Sequence, residues 1–140
     1  MTFAQTFATA LERSNQLQTY WSFYATVVLG VLAFFGSAKA GNRSTLVAGL
    51  VSIGFVAVSI ANLEALIDVS RQRLALQATL VQLAGEAPTL LSLVRTLTPS
   101  TLFSVRAFHY TFDIFTLAAI WTLTLRPKQS PVDLIDRSAT

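Results

Sequence analysis

The stretch TLVAGLVSIGFVAVSIA, residues 45–61, contains seventeen residues and no charge. A helix rises about 1.5 Å per residue, so this run and its neighbours are long enough to cross the roughly 30 Å hydrocarbon core of a bilayer. The chain then continues through Asn62 and Glu64 into a leucine-rich segment without Gly or Pro until Gly85. The sequence therefore predicts one helix of about forty residues that crosses a membrane and continues beyond it.

The composition favours a membrane protein. Charged residues make up 12% and hydrophobic residues 53% of the 140 residues, whereas charged residues are about 25% of an ordinary soluble domain. A chain of this length forms one domain, and a soluble core of that size has no room for three long apolar runs. We therefore prefer a membrane protein over the alternative, an unusually hydrophobic soluble helical bundle.

Several kinds of chemistry find no support in the sequence. The ten Lys and Arg residues are scattered, so nucleic acid is not an expected partner. One histidine and no cysteine leave no ligand set for a metal, and we expect no cofactor. A Ser–His–Asp arrangement built on Ser59 or Ser104 lacks a nucleophile elbow, and no Gly-rich phosphate loop is present. We therefore expect a protein that is not an enzyme.

Three apolar runs predict three transmembrane helices. Residues 20–38 form the first span and open with Tyr20 and Trp21, aromatic residues that favour the membrane interface. Residues 44–64 form the central span and residues 106–125 the last. Because three crossings place the two termini on opposite sides and the basic residues divide evenly between those sides, the charges do not decide the orientation.

The first run has a second interpretation. Arg13 ahead of it and the sequence SAKA at its end, residues 37–40, resemble a secretory signal with its cleavage site. The polar segment in front of the run is longer than such a signal normally carries, so we prefer an uncleaved span. Gly41 and Asn42 then predict a tight turn between antiparallel spans.

The segments outside the spans are predicted to differ in structure. Residues 1–18 predict an amphipathic helix at the membrane surface, or a partly ordered leader, because apolar residues recur four positions apart at Phe3, Phe7 and Leu11. Residues 65–105 predict a helical hairpin outside the membrane, with its turn at GEAP, residues 85–88. Residues 126–140 predict a polar, flexible tail.

The extension of the central helix carries a leucine-rich seam that we predict to be a partner interface. Its residues recur at steps of three, four or seven: Leu66, Val69, Leu76, Leu80 and Leu83. An isolated amphipathic helix has nothing against which to bury such residues. Either another subunit covers the seam, or the segment that follows folds back on it.

Ionisable residues within or beside the spans are the strongest candidates for a functional site. Asp113 lies about two turns inside the last span, with His109 one turn before it on the same face and Arg106 near the start of the span. Glu64 of the central span lies nearer to the same side of the membrane. We predict an intramembrane polar cluster from these four residues, with either a protonated Asp113 or an Asp113–His109 ion pair.

These features predict an all-α, multi-pass protein of a bacterial-type inner membrane or a plasma membrane. The expected function is that of a non-enzymatic subunit or scaffold in membrane lipid, which forms a homo-oligomer or docks a partner subunit through residues 66–105. The alternative is a small oligomeric ion channel or proton-linked transport element that uses Asp113, His109 and Glu64. We prefer the scaffold because the half of the bilayer beyond Asp113 offers no polar path.

Overall fold

The computed structural model describes residues 2–37, 44–85, 87–97 and 100–125, and these residues form helices and no strand. The four helices are α1 (Phe3–Gly36), α2 (Thr45–Ala84), α3 (Pro88–Thr96) and α4 (Leu102–Thr124). The prediction of an all-helical protein is confirmed for these residues. The turn predicted at Gly41 and Asn42 and the tail predicted over residues 126–140 lie outside the described residues.

Helix α2 is a single helix of 40 residues, as the uninterrupted sequence predicts. Ser44 caps its start, because the Ser44 hydroxyl accepts a hydrogen bond of 3.4 Å from the backbone N–H of Val47. Gly85 ends it with a φ of +55°, in the left-handed region that favours glycine. Pro88 then begins α3, where its missing N–H leaves no helical hydrogen bond unmade.

Replacing Gly85 with alanine is expected to lower the free energy of unfolding by about 1–2 kcal/mol, because a Cβ at this φ strains the backbone. The strain is local, since among the described residues no heavy atom beyond Gly85 and its two chain neighbours lies within 4 Å of that Cβ position. Gly54→Ala, at the tenth residue of α2, is the matched control, and it is expected to leave stability unchanged or raise it by up to about 1 kcal/mol. Detergent unfolding followed by circular dichroism measures both. A loss in both variants would contradict the explanation.

Helix α1 continues through the boundary that the sequence suggests near residue 19. It contains 34 residues and begins at a capping box formed by Thr2 and Gln5. Residues 3–18 therefore continue the helix of the first apolar run, which differs from the separate surface helix predicted for them.

Buried side chains form four clusters along the bundle, and these clusters fix the helix directions. Helix α1 packs antiparallel to α2, since Ala10 meets Leu80 at one end and Phe35 meets Ala48 at the other. Helix α4 also runs antiparallel to α2, because Val105 packs against Leu66 while its later turns pack against earlier turns of α2. Helix α3 joins only the cluster around Leu80.

The bundle has two halves with different surfaces. We define the apolar half as residues 20–36 of α1, residues 45–63 of α2 and the whole of α4. The polar half consists of the remaining residues of α1 and α2 together with α3. Most large hydrophobic side chains that are exposed belong to the apolar half, among them Phe23, Leu29, Leu46, Leu50, Ile53, Ile114 and Phe115. Helices α1 and α2 are long and apolar enough to cross a membrane. Contiguous apolar surface of this kind is unusual on a soluble monomer and suits contact with lipid.

Candidate functional site

The carboxylate of Asp113 joins three helices inside the apolar half. The Tyr24 hydroxyl of α1 donates a hydrogen bond of 2.7 Å to Oδ1 of Asp113. The Ser59 hydroxyl of α2 donates one of 2.7 Å to Oδ2. His109, one turn before Asp113 on α4, places its Nδ1 3.1 Å from the same Oδ2. Because an ionised carboxylate only accepts hydrogen bonds, these converging groups fit a charged Asp113.

His109 extends this network to a fifth residue, Asn62. Its side chain is fully buried, its ring stacks on the Tyr24 ring with centroids 4.1 Å apart, and its Nε2 lies 3.4 Å from Nδ2 of Asn62. With the proton on Nδ1, a neutral imidazole donates to Asp113 and accepts from the Asn62 amide, so one tautomer satisfies both contacts. Oδ1 of Asn62 is buried and has no hydrogen-bond partner among the described residues.

The four ionisable residues predicted as a cluster divide between this network and a groove. The structure brings Asp113 and His109 together in the network, whereas Glu64 and Arg106 line a groove of about 910 Å³ between α2 and α4. Asp113 belongs to both, because its side chain is 16% exposed and it also lines the groove. Two further charged residues, Asp68 and Arg71, lie on the same groove wall as Glu64.

Sequence reasoning did not select the uncharged members of the network, which are Tyr24, Ser59 and Asn62. The signal that points to them is their position along the bundle axis. Because α2 and α4 are antiparallel, Ser59 lies at the same level as Asp113, and Asn62 at the same level as His109. Several uncharged residues share each level, and the rotation of each helix decides which one faces inward. That rotation follows from packing between helices and is not encoded in any local motif.

The leucine-rich seam predicted as a partner interface is largely covered within the chain. Leu66, Val69 and Leu80 are buried, Leu76 is partly buried, and Leu83 is 41% exposed. Leu80 packs against Ala10 of α1 and Val94 of α3, with Phe3 and Phe7 beside them. Helix α3, which follows the seam in the chain, therefore folds back on it, and α1 covers the seam as well. Of the five seam residues, Leu83 alone keeps a largely accessible side chain.

The network does not have the order of a nucleophilic triad. Ser59 donates to Asp113 and not to the imidazole, so His109 is not positioned to take a proton from the Ser59 hydroxyl. Within the described residues, His, Asp and Glu side chains do not gather into a group of three that could hold a metal ion. The arrangement is suited to holding helices together and to keeping one carboxylate charged inside an apolar region.

No family model, curated protein or solved structure matches this chain. The features that bear on its function are thus the polar network, the groove beside it and the side chains that the bundle leaves exposed. The network is mostly buried and reaches the groove at Asp113, whereas the groove and the exposed side chains face outward and are accessible to other molecules.

Proposed function

We propose that the protein is a non-enzymatic, multi-pass membrane subunit or scaffold. Its apolar half crosses the membrane with α1, α2 and α4, and its polar half projects beyond the membrane on one side. The band of exposed hydrophobic side chains around these three helices supports the placement. Beyond Ala61, α2 continues to Ala84, which at 1.5 Å per residue gives a projection of about 35 Å.

Helix α4 is not among the described helices that are long and apolar enough by themselves to cross a membrane, and the direction of its side chains supports its role as a span. His109 is fully buried, and Asp113 makes its hydrogen bonds inside the bundle. Phe108, Ile114 and Phe115 of the same helix are exposed. A membrane helix tolerates ionisable residues when they face the bundle and are paired there, while its apolar side chains face lipid.

An exposed apolar face on the polar half of α2 carries the proposed docking role. Leu74, Ala78 and Val81 follow each other at steps of four and three, so they share one face of the helix. Leu74 is 38% exposed and Val81 46% exposed. Because the leucine-rich seam is mostly buried against α1 and α3, we assign the docking role of residues 66–105 to this second face. We propose that a second copy of the chain docks there.

Changing this face is expected to dissociate the assembly. Leu74→Asp combined with Val81→Asp should turn a wild-type oligomer into a monomer, with affinity reduced at least 100-fold, because burying two such side chains contributes about 3 kcal/mol or more. Mass measurement in a mild detergent and in lipid nanodiscs follows the change. The matched control is Leu83→Asp with Leu93→Asp, which alters two exposed leucines of the polar half away from this face.

A wild-type chain that is monomeric in both detergent and nanodiscs would contradict self-association. Equal dissociation in the two double variants would contradict the assignment to the Leu74–Ala78–Val81 face. Circular dichroism on each variant separates dissociation from unfolding, since all four replaced side chains are exposed and the helices are expected to persist.

A small oligomeric channel or proton-linked transport element is the second candidate. It is favoured by one observation, that Asp113 and Glu64 line the same groove. Against it, the bundle interior beyond Asp113 is closed by a buried apolar cluster of Phe35, Ala48 and Ile120. A conducting path needs polar groups or water along its whole length, so transport would require a second copy to convert the groove into a pore.

A further inference from the structure

The groove between α2 and α4 changes from apolar to charged along its length. Val56, Ile60 and Leu117 line one end, and charged side chains of both helices line the other. On α2 the lining extends from Val56 to Arg71, which is about 22 Å at 1.5 Å per residue. A site that is apolar at the depth of the membrane and charged at its edge matches the order of acyl chain and headgroup in a phospholipid.

The charged end carries two acidic and two basic side chains, which are Glu64, Asp68, Arg71 and Arg106. Asp68 and Arg71 lie 3.6 Å apart and both are mostly exposed to the outside. Glu64 and Arg106 form no ion pair with any of the described residues. The four charges sum to zero, so this end complements a headgroup that carries one charge of each sign and not a purely anionic one.

The chemistry of these side chains narrows the headgroup further. Guanidinium groups bind phosphate through paired, directional N–H donors. Carboxylates only accept hydrogen bonds, so they distinguish a primary ammonium, which has three N–H donors, from a quaternary ammonium, which has none. Glu64 and Asp68 therefore favour an ethanolamine headgroup over a choline headgroup of the same net charge.

We propose that this groove binds one phospholipid of the phosphatidylethanolamine type. Arg106, which follows the Val105 that packs against Leu66, holds the phosphate, and Glu64 and Asp68, one turn of α2 apart, receive the ammonium. One acyl chain lies along the apolar end of the groove. Where the chain passes Asp113, the carboxylate already accepts hydrogen bonds from Tyr24, Ser59 and His109, which lowers the cost of that contact.

This site rests on the proposed membrane location but not on the proposed docking face. The groove lining ends at Arg71, and the docking face begins one turn later at Leu74. Lipid binding in the groove and docking of a second copy are therefore separate events, and each is tested by its own variants.

Native mass spectrometry tests the proposal on the full chain purified in a mild detergent. With equal amounts of phosphatidylethanolamine, phosphatidylcholine and phosphatidylglycerol present, the protein should retain one phosphatidylethanolamine at least fivefold more often than either competitor. Glu64→Gln combined with Arg106→Gln should abolish this preference. The control combines Glu12→Gln with Arg13→Gln on α1. It also replaces one acidic and one basic residue, but both lie outside the groove, so this variant should keep the preference.

Equal retention of the three lipids by the wild type would overturn the proposal, as would an unchanged preference in the groove variant. A photocrosslinker at the exposed Ile60 gives an independent result. Crosslinks to lipid support the site, and crosslinks to a second copy or to another protein overturn it. Extraction of membranes with carbonate distinguishes a failure of the proposed membrane location from a failure of the lipid site alone. A chain that washes out contradicts the membrane location, whereas an integral chain without lipid preference contradicts the lipid site alone.

Discussion

Leu80→Asp is expected to unpack the polar half of the bundle, at a cost of about 4 kcal/mol or more. Leu80 is fully buried where α1, α2 and α3 meet, in contact with Ala10 and Val94. The substitution removes a buried leucine, which contributes about 1.5–3 kcal/mol, and introduces a carboxylate without a matching partner. Hydrogen exchange should become faster in residues 3–18 and 87–97, while the network around Asp113 keeps its protection.

Two further variants make the Leu80 prediction specific. Arg73 lines a small cavity beside Leu80, and burial lowers the pKa of its guanidinium. A carboxylate at position 80 could draw on that charge, so Leu80→Ala, which offers no such partner, is the second test and should cost about 2–5 kcal/mol. Leu83→Asp is the control, because Leu83 is 41% exposed and a surface change should stay within about 0.5 kcal/mol. Unchanged exchange in Leu80→Asp would contradict the packing of α1 and α3 on α2.

Asp113→Leu is expected to lower the stability of the apolar half by about 3 kcal/mol. The leucine removes the acceptor for Tyr24, Ser59 and His109 at once, and each polar group left unmatched in this region costs roughly 1 kcal/mol. Unfolding in increasing dodecyl sulfate measures the loss. Near-ultraviolet circular dichroism should also change, since Tyr24 stacks on His109 and Trp21 packs edge-on against Phe108.

Asp113→Asn is the conservative partner of this variant. It keeps one side-chain oxygen as an acceptor and should lose only about 1 kcal/mol, so the order of stability is wild type, then asparagine, then leucine. Asp68→Leu removes a carboxylate that is 67% exposed and should stay within about 0.5 kcal/mol. If Asp113→Leu proved as stable as the wild type, the network would not hold the helices together, and the transport alternative would gain support.

The features that depend on local sequence could be predicted well. The continuation of α2 from Phe55 to Ala84 follows from a run without Gly or Pro, and its end follows from Gly85, with its φ of +55°, and from Pro88 shortly after it. The contact between His109 and Asp113 follows from their four-residue spacing on one helix. Each of these features is decided by residues close together in the chain.

The contacts between helices could not be predicted from the same sequence. The spacing of Phe3, Phe7 and Leu11 suggested one apolar stripe, but Ala10 packs against Leu80 and Leu11 stays 43% exposed. Steps of three and four residues both follow a helix face, so the stripe alone does not determine which residue closes the contact. The leucine-rich seam likewise indicated a cover, from another subunit or from the segment that follows, without deciding between them and without indicating that α1 takes part.

The cluster that encloses Leu80 also has consequences for how the chain is made. Its members Ala10 and Val94 are about 80 residues apart, so at roughly 5–20 residues per second a ribosome adds Val94 some 4–17 s after Ala10. During that interval the start of α1, with Phe3 and Phe7, has left the ribosome without the α3 surface that completes its cover. These turns of α1 are thus made early and fully buried late, and they stay open to a chaperone in between.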